Sequence, residues 1–234
     1  MPSPEPVLSY HRVTHRFGRS APVLTELTLD VPAGRVVLLG PNGAGKTTML
    51  RLGAGLLRPT GGRVESYALA VGYTPQAMSP LAGATALEQV AYAAWLAGVD
   101  DRAARRVAGE SLERVGLSDA GGQSASTLSG GQLRRVGIAQ ALAAGGDVLL
   151  LDEPAAGLDP LERRRLAAVV AQLDASVVIS THLVDDIAAT FDQVVVLAAG
   201  EVRFQGPVAD FLSLGDARDG TPADAYAVAV GAVE

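Results

Sequence analysis

The stretch Gly40-Pro41-Asn42-Gly43-Ala44-Gly45-Lys46-Thr47-Thr48 holds the only lysine in a 234-residue chain whose Lys and Arg together number 19. A glycine, four residues and then Gly-Lys-Thr is the spacing with which a backbone wraps a polyphosphate. The glycines let successive N–H groups point inward at a β-phosphate, and a helix starting at the loop adds the positive end of its dipole. Thr47 supplies a hydroxyl suited to Mg2+. Lys46 offers a compact ammonium on a flexible stem that can reach back to β- and γ-oxygens, where a flat five-donor guanidinium is too bulky. The scarcity of lysine elsewhere, with abundant Ala, Gly and Arg, reads as the bias of a GC-rich genome. That bias explains the arginines but not the exception.

Two further constellations carry chemistry. Val148-Leu149-Leu150-Leu151 is an apolar run ending in Asp152-Glu153. A buried strand of this kind delivers Asp152 to its C-terminal end, where it can hold Mg2+. Glu153 points the other way and can polarise a water for in-line attack on a γ-phosphate. Alone, an Asp-Glu pair is an ordinary solvated strand end; a phosphate loop in the same chain is what raises it. The third is Leu128-Ser129-Gly130-Gly131-Gln132, in which Ser129 is a good helix cap and two glycines permit close backbone approach. By itself it is no more than a capped helix start.

Elements must position these residues. Alternation in VLSYHRVTHRF and LTELTLDV predicts half-buried strands. Pro32-Ala33-Gly34 is a turn, and Val36–Gly40 an all-apolar strand of the buried parallel type. KTTMLRLGAGLL, from Lys46 to Leu57, reads as one helix, followed by one or two strands within RVESYALAVGYTPQ. Helical spacing over ATALEQVAYAAWLAGV, DRAARRVAGESLERVGL and QLRRVGIAQALAAG predicts a helical subdomain. Strand and helix then alternate through SVVIST, the helix LVDDIAATF and QVVVLAAG. A hairpin EVRFQG, a Gly/Asp-rich linker over Gly215–Gly220 and a tail helix opened by Thr221-Pro222 follow. The expected organisation is one domain over residues 1–234: an α/β core at 1–77 and 145–212, a helical subdomain at 78–144, and a tail at 213–234. Tyr92 and Trp95, at helical spacing, are expected in the subdomain core; the functional alternative is a groove for a transmembrane partner. Arg163-Arg164-Arg165 reads as a solvated helix face, and His11 and His15 receive no role.

Composition narrows the classes. A net charge of −6 argues against a nucleic-acid surface, which needs clustered cations. With no cysteine there is no disulfide, thiolate metal site or Cys nucleophile, in keeping with a reducing cytoplasm. Mean hydropathy is +0.25, yet Ala91–Val99 and Val194–Gly200 are far too short to span a bilayer. No signal peptide is visible at MPSPEPVLSY.

Taken together, LSGGQ at residues 128–132, followed by the apolar strand ending in Asp152-Glu153, resembles the signature of ABC-type ATPases. The family's other motifs stand in order over roughly residues 7–212. Gln76 in GYTPQ matches its glutamine loop, Gly157-Leu158-Asp159 its D-loop, His182 its switch histidine, and Phe17 the aromatic that stacks on adenine. The resemblance implies a P-loop NTPase fold of ABC type, with a mixed β core and an inserted helical subdomain. It implies ATP and Mg2+ as ligands. Two such domains meet head to tail, as homodimer or heterodimer, so that Ser129, Gly130, Gly131 and Gln132 of one face the ATP held by the loop of the other, with Asp159 beside it. By the same resemblance Thr47, Gln76 and Asp152 serve Mg2+, Asp152 through water, and Glu153 is the general base. His182 contacts the γ-phosphate, and Lys46 with the residues from Gly40 to Thr48 binds the phosphates. Two departures stand out: Arg58–Gln76 is shorter than usual, and Ala155 replaces the usual Thr after Asp-Glu-Pro. Without a membrane span the chain is expected to work with a separate integral permease, peripheral at the cytoplasmic face, without nucleic acid. RRVGIAQALAAGGDVLLLDEPAAGLDP and STHLVDDIAATFDQVVVLAAGEVRFQG look most like ATPase subunits of bacterial drug or antibiotic exporters. An importer ATPase, or a soluble ABC ATPase acting on ribosomes or DNA, is the alternative.

Overall fold

The computed structural model describes residues 5–182, 190–216 and 221–231. In chain order the strands are β1 (Pro6–His15), β2 (Leu24–Pro32), β3 (Arg35–Leu39), β4 (Gly61–Ser66), β5 (Val71–Thr74), β6 (Val148–Asp152), β7 (Ser176–Thr181), β8 (Gln193–Ala198) and β9 (Glu201–Pro207). The helices are α1 (Lys46–Gly53), α2 (Ala86–Leu96), α3 (Asp101–Arg114), α4 (Gly130–Ala143), α5 (Pro160–Ala171), α6 (Val208–Ser213) and α7 (Pro222–Ala229). The expected helix LVDDIAATF falls largely outside the described residues. The chain divides into two compact units, residues 1–68 with 176–234, and residues 69–175.

In the first unit, β2, β1 and β4 form an antiparallel sheet in that order. β2 alternates buried and exposed positions, as a strand with one wet face must. β3 is nearly all buried and runs parallel between β7 and β8, with β9 antiparallel along β8. Val37, Leu39, Val194 and Val196 from these strands meet Val208, Phe211 and Ala225 in one apolar cluster. Tyr10 of β1 is fully buried, and its hydroxyl donates to the Met49 carbonyl of α1 at 3.0 Å, tying the antiparallel sheet to the helix behind the phosphate loop.

The second unit pairs β5 with β6 in parallel and places α2, α3, α4 and α5 with them. The expected helical stretch 78–144 lies within this unit, whose bounds also take in β5, β6 and α5. Close approach explains part of that: a Cβ on Gly72 of β5 would lie 2.8 Å from Ala141 Cβ of α4, so only glycine lets the strand sit so near the helix. Each helix start is written in the chain. Thr85 with Glu88, and Ser129 with Gln132, form reciprocal capping boxes on α2 and α4. Asp100 caps α3 and Asp159 caps α5, whose first residue is Pro160.

Two expectations are corrected. α1 stops at Gly53 rather than running to Leu57, because Gly55 takes a left-handed φ of 70° and Leu56 is turned out to solvent. Tyr92 and Trp95 are not core: they are 48% and 53% exposed, and their rings stack on one another at 5.9 Å. The buried side of α2 is taken by Ala86, Gln89, Val90 and Ala94 instead, the two alanines letting it approach its neighbours.

Candidate functional site

In the first unit, β3 runs straight into the Gly40–Thr48 loop and the loop into α1. Gly40 is required there, since a Cβ would sit 2.3 Å from the Leu197 carbonyl oxygen of β8. Gly45 has φ 104° and is the N-cap of α1, with no side chain of its own to bond the amides of the first turn. Gly43 has φ 82°, and a Cβ there would meet nothing within 4 Å. Glycine backbone, open space beside it and a helix start without a side-chain cap make a fitting cradle for a polyphosphate. Lys46 is buried, and its ammonium donates to the carbonyls of Gly40 at 2.7 Å and Pro41 at 3.3 Å, curling back over the loop. Pro41, Asn42 and Gly43 are exposed, Ala44 and Thr48 buried, and Thr47 half-buried.

Phe17 lies just past the end of β1, half exposed, with its ring edge-to-face against His15 at 4.7 Å. His15 Nδ1 in turn donates to the Arg58 carbonyl at 3.1 Å, so the aromatic rests on an anchored ring. His182 follows β7 at its C-terminal end and is exposed.

In the second unit, β6 ends on Asp152, which is 1% exposed and accepts a hydrogen bond from the Tyr73 hydroxyl of β5 at 3.2 Å. Glu153 follows, buried, with a left-handed φ of 47° that an L side chain rarely adopts. The turn after it closes through the Ala156 N–H to the Glu153 carbonyl at 3.1 Å. Gln76 lies two residues beyond β5 and is exposed; its carbonyl accepts from Arg134 Nη1 at 2.9 Å. Ser129 and Gln132 spend their side chains on each other's backbone, which leaves Gly130 exposed at the helix start. Asp159 uses Oδ1 to accept from the Glu162 N–H at 2.9 Å, so in this chain it is a helix cap first. Gly131 packs under α5, where a Cβ would lie 2.3 Å from Glu162 Oε2.

Four residues of the second unit carry no signal in the sequence. Arg134 bonds Gln76 and also the Ala156 carbonyl at 2.5 Å. Arg135 bonds the Val115 and Gly116 carbonyls, both at 3.1 Å, and approaches Glu162. Burial lowers both guanidinium pKa values from their usual range. Tyr73 and Glu162 are the other two. Any Arg after LSGGQ looks like a solvated residue on a helix until the loops it meets are known.

Among the described residues no three His, Cys, Asp or Glu gather as a metal cluster. Mg2+ does not need one, because it retains waters and phosphate oxygens and takes one or two protein ligands. Asp152 and the Thr47 hydroxyl are oxygen donors of the right kind. Also among the described residues, no helix is long and apolar enough to cross a membrane.

The strand–loop–helix around Lys46 and the strand ending in Asp152-Glu153 define a P-loop nucleotide-binding domain. The family model described as ABC transporter matches residues 24–156. An uncharacterised ABC transporter ATP-binding protein, YxlF of Bacillus subtilis, is 39% identical over 73% of this chain, which spans 61% of that protein's length. The cobalt import ATP-binding protein CbiO of Rhodobacter capsulatus is 36% identical over 89% of this chain and 81% of its own. A dimeric ATP-binding cassette in a post-hydrolysis state, bound to ADP and Pi, superposes with a TM-score of 0.73 at 25% identity, covering 86% of this chain and 98% of that one. The chain belongs to the ABC transporter family, as an ABC ATPase domain with the mixed-sheet P-loop fold. The exporter expectation is corrected: further relatives are named for import of methionine, iron(III) ions and aliphatic sulfonates.

Proposed function

We propose that this chain is the ATP-hydrolysing subunit of an ABC importer, acting on a separate membrane permease through ATP-dependent, head-to-tail dimerisation. The observation that carries the reading is the glycine loop around buried Lys46, leading into a helix whose N-cap is a glycine. Family membership and the importer names of its relatives support the rest. In this reading Lys46 and the amides from Gly40 to Thr48 hold the phosphates of ATP, and Phe17 stacks on the base. Thr47, Gln76 and, through water, Asp152 would hold Mg2+, which would supply charge neutralisation of the phosphate oxygens. Glu153 accepts the proton of the attacking water, and His182 orients that water against the γ-phosphate. Ser129, Gly130, Gly131, Gln132 and Asp159 are offered in trans to the nucleotide on the second ATPase domain, where a helix N-terminus favours an anion. Residues 78–144 form the helical subdomain that meets the permease at the cytoplasmic membrane face. The exposed stack of Tyr92 and Trp95, beside Glu88, Asp101 and Arg105, supplies an aromatic anchor with a charged rim for that contact.

The test is a tagged chain purified from a detergent extract of its native membranes. Co-purification of an integral membrane protein, with ATPase activity that the Glu153→Gln variant abolishes while trapping an ATP-bound dimer, is the expected result. ATP-dependent co-sedimentation with ribosomes or DNA, without a membrane partner, overturns it.

A further inference from the structure

Arg134 sits in the first turns of α4, directly after the LSGGQ motif. It reaches two backbone carbonyls far apart in sequence. Nη1 donates to Gln76 at 2.9 Å, and Nη2 donates to Ala156 at 2.5 Å. Both acceptors lie in segments outside helices and strands. Gln76 begins the connection from β5 to α2, and Ala156 belongs to the turn closed onto the Glu153 carbonyl. That turn starts from a left-handed Glu153, a conformation that persists only where surroundings hold it.

We propose that Arg134 is a positioning residue for hydrolysis: it locks the backbone of Gln76 to the turn that carries Glu153, so that the two arms keep one geometry. The chemistry favours arginine alone. A planar fork can donate from two separate nitrogens to two carbonyls at once, whereas an ammonium is a point donor on a flexible stem. A charged donor partly removed from water makes stronger bonds to carbonyls than a neutral one. The remaining guanidinium nitrogen, Nε, is buried and makes no hydrogen bond, so the side chain is held for its two outer contacts at some cost in desolvation. Arg134 bonds the Gln76 and Ala156 carbonyls, so it acts through those two segments on Gln76 and Glu153. Its neighbour Arg135 has a different task, binding the carbonyls that follow α3.

The inference rests on the reading of Glu153 as the general base, and the experiment separates the two. Wild type, Arg134→Ala, Arg134→Lys and Glu153→Gln are purified as the full chain. Binding of a fluorescent ATP analogue, phosphate release at saturating Mg-ATP, thermal midpoint and amide hydrogen exchange are measured on each. A misplacement of the base by a fraction of an ångström is expected to lower kcat by about ten- to a hundredfold in both Arg134 variants. Kd for the analogue should stay within about twofold, because the Gly40–Thr48 loop is untouched. Exchange should quicken over residues 76–78 and 154–159 together, while α3 stays at its wild-type rate. Exchange left unchanged in either loop overturns the clamp, as does wild-type kcat in Arg134→Ala. A fall in kcat, affinity and thermal midpoint together, with exchange raised throughout the unit, also overturns it, because that is general destabilisation. If Glu153→Gln turns over at the wild-type rate, the reading of Glu153 fails instead, whatever the Arg134 variants do.

Discussion

Lys46 is buried with its ammonium bonded to two carbonyls of its own loop. A guanidinium is larger, flat and rigid, and cannot fold back over Gly40 and Pro41 in the same space. Lys46→Arg therefore keeps the charge but is expected to lose most ATP hydrolysis, by about a hundredfold or more, with the fold retained. Near-normal turnover in that variant would show that any cation suffices. The loop's chemistry was legible in the sequence because it is local: nine consecutive residues hold the glycines, the lysine and the hydroxyl. Glu153 was legible as a carboxylate but not as a strained one, since its φ of 47° follows from the turn that receives it. Arg134 was illegible for a related reason: its role exists only when residues 76 and 156 reach the same side of α4.

At the scale of elements, helix starts were the clearest signals. Thr85, Asp100, Ser129, Asp159 and Thr221 all cap the helices they precede, because a short side-chain oxygen satisfies amides that the helix itself cannot. Asp159 tests whether capping and nucleotide work can be separated. Asp159→Ala removes the bond to the Glu162 N–H and is expected to cost about 1 kcal/mol. For a chain of this size that lowers the thermal midpoint by about 2–4 °C. Asp159→Asn keeps the acceptor and should restore the midpoint, read by differential scanning calorimetry. If Asn restores stability but not turnover, the carboxylate has work beyond the cap; equal midpoints for Ala and Asn would remove the capping account. Helix ends were harder to read. The apolar pair Leu56-Leu57 continues the period of α1 on paper, but Gly55 breaks it.

At the scale of the whole molecule, the misread aromatics matter most. Spacing places Tyr92 and Trp95 on one side of α2, but spacing does not say whether another element covers that side. Here nothing among the described residues buries them, and they stack as an exposed pair. Replacing both by Ser is expected to abolish recovery of the permease while leaving ATP-analogue affinity unchanged, measured on the detergent-purified complex and the chain alone. Recovery at the wild-type level would move the docking surface elsewhere. A different consequence follows from the floor of the phosphate loop. Gly40 lies against the Leu197 carbonyl, Ala44 accepts from the Gly200 N–H at 3.2 Å, and β3 pairs with β7 and β8. Several partners that shape the loop, Leu197, Gly200 and the strands β7 and β8, are thus encoded far downstream of it, while Val23 and Leu24 beside Gly45 precede it. During synthesis from the N-terminus, the nascent chain exposes its GKT segment long before the strands that support it have left the ribosome. The complete set of contacts around the phosphate loop therefore forms only once residues near 200 have emerged.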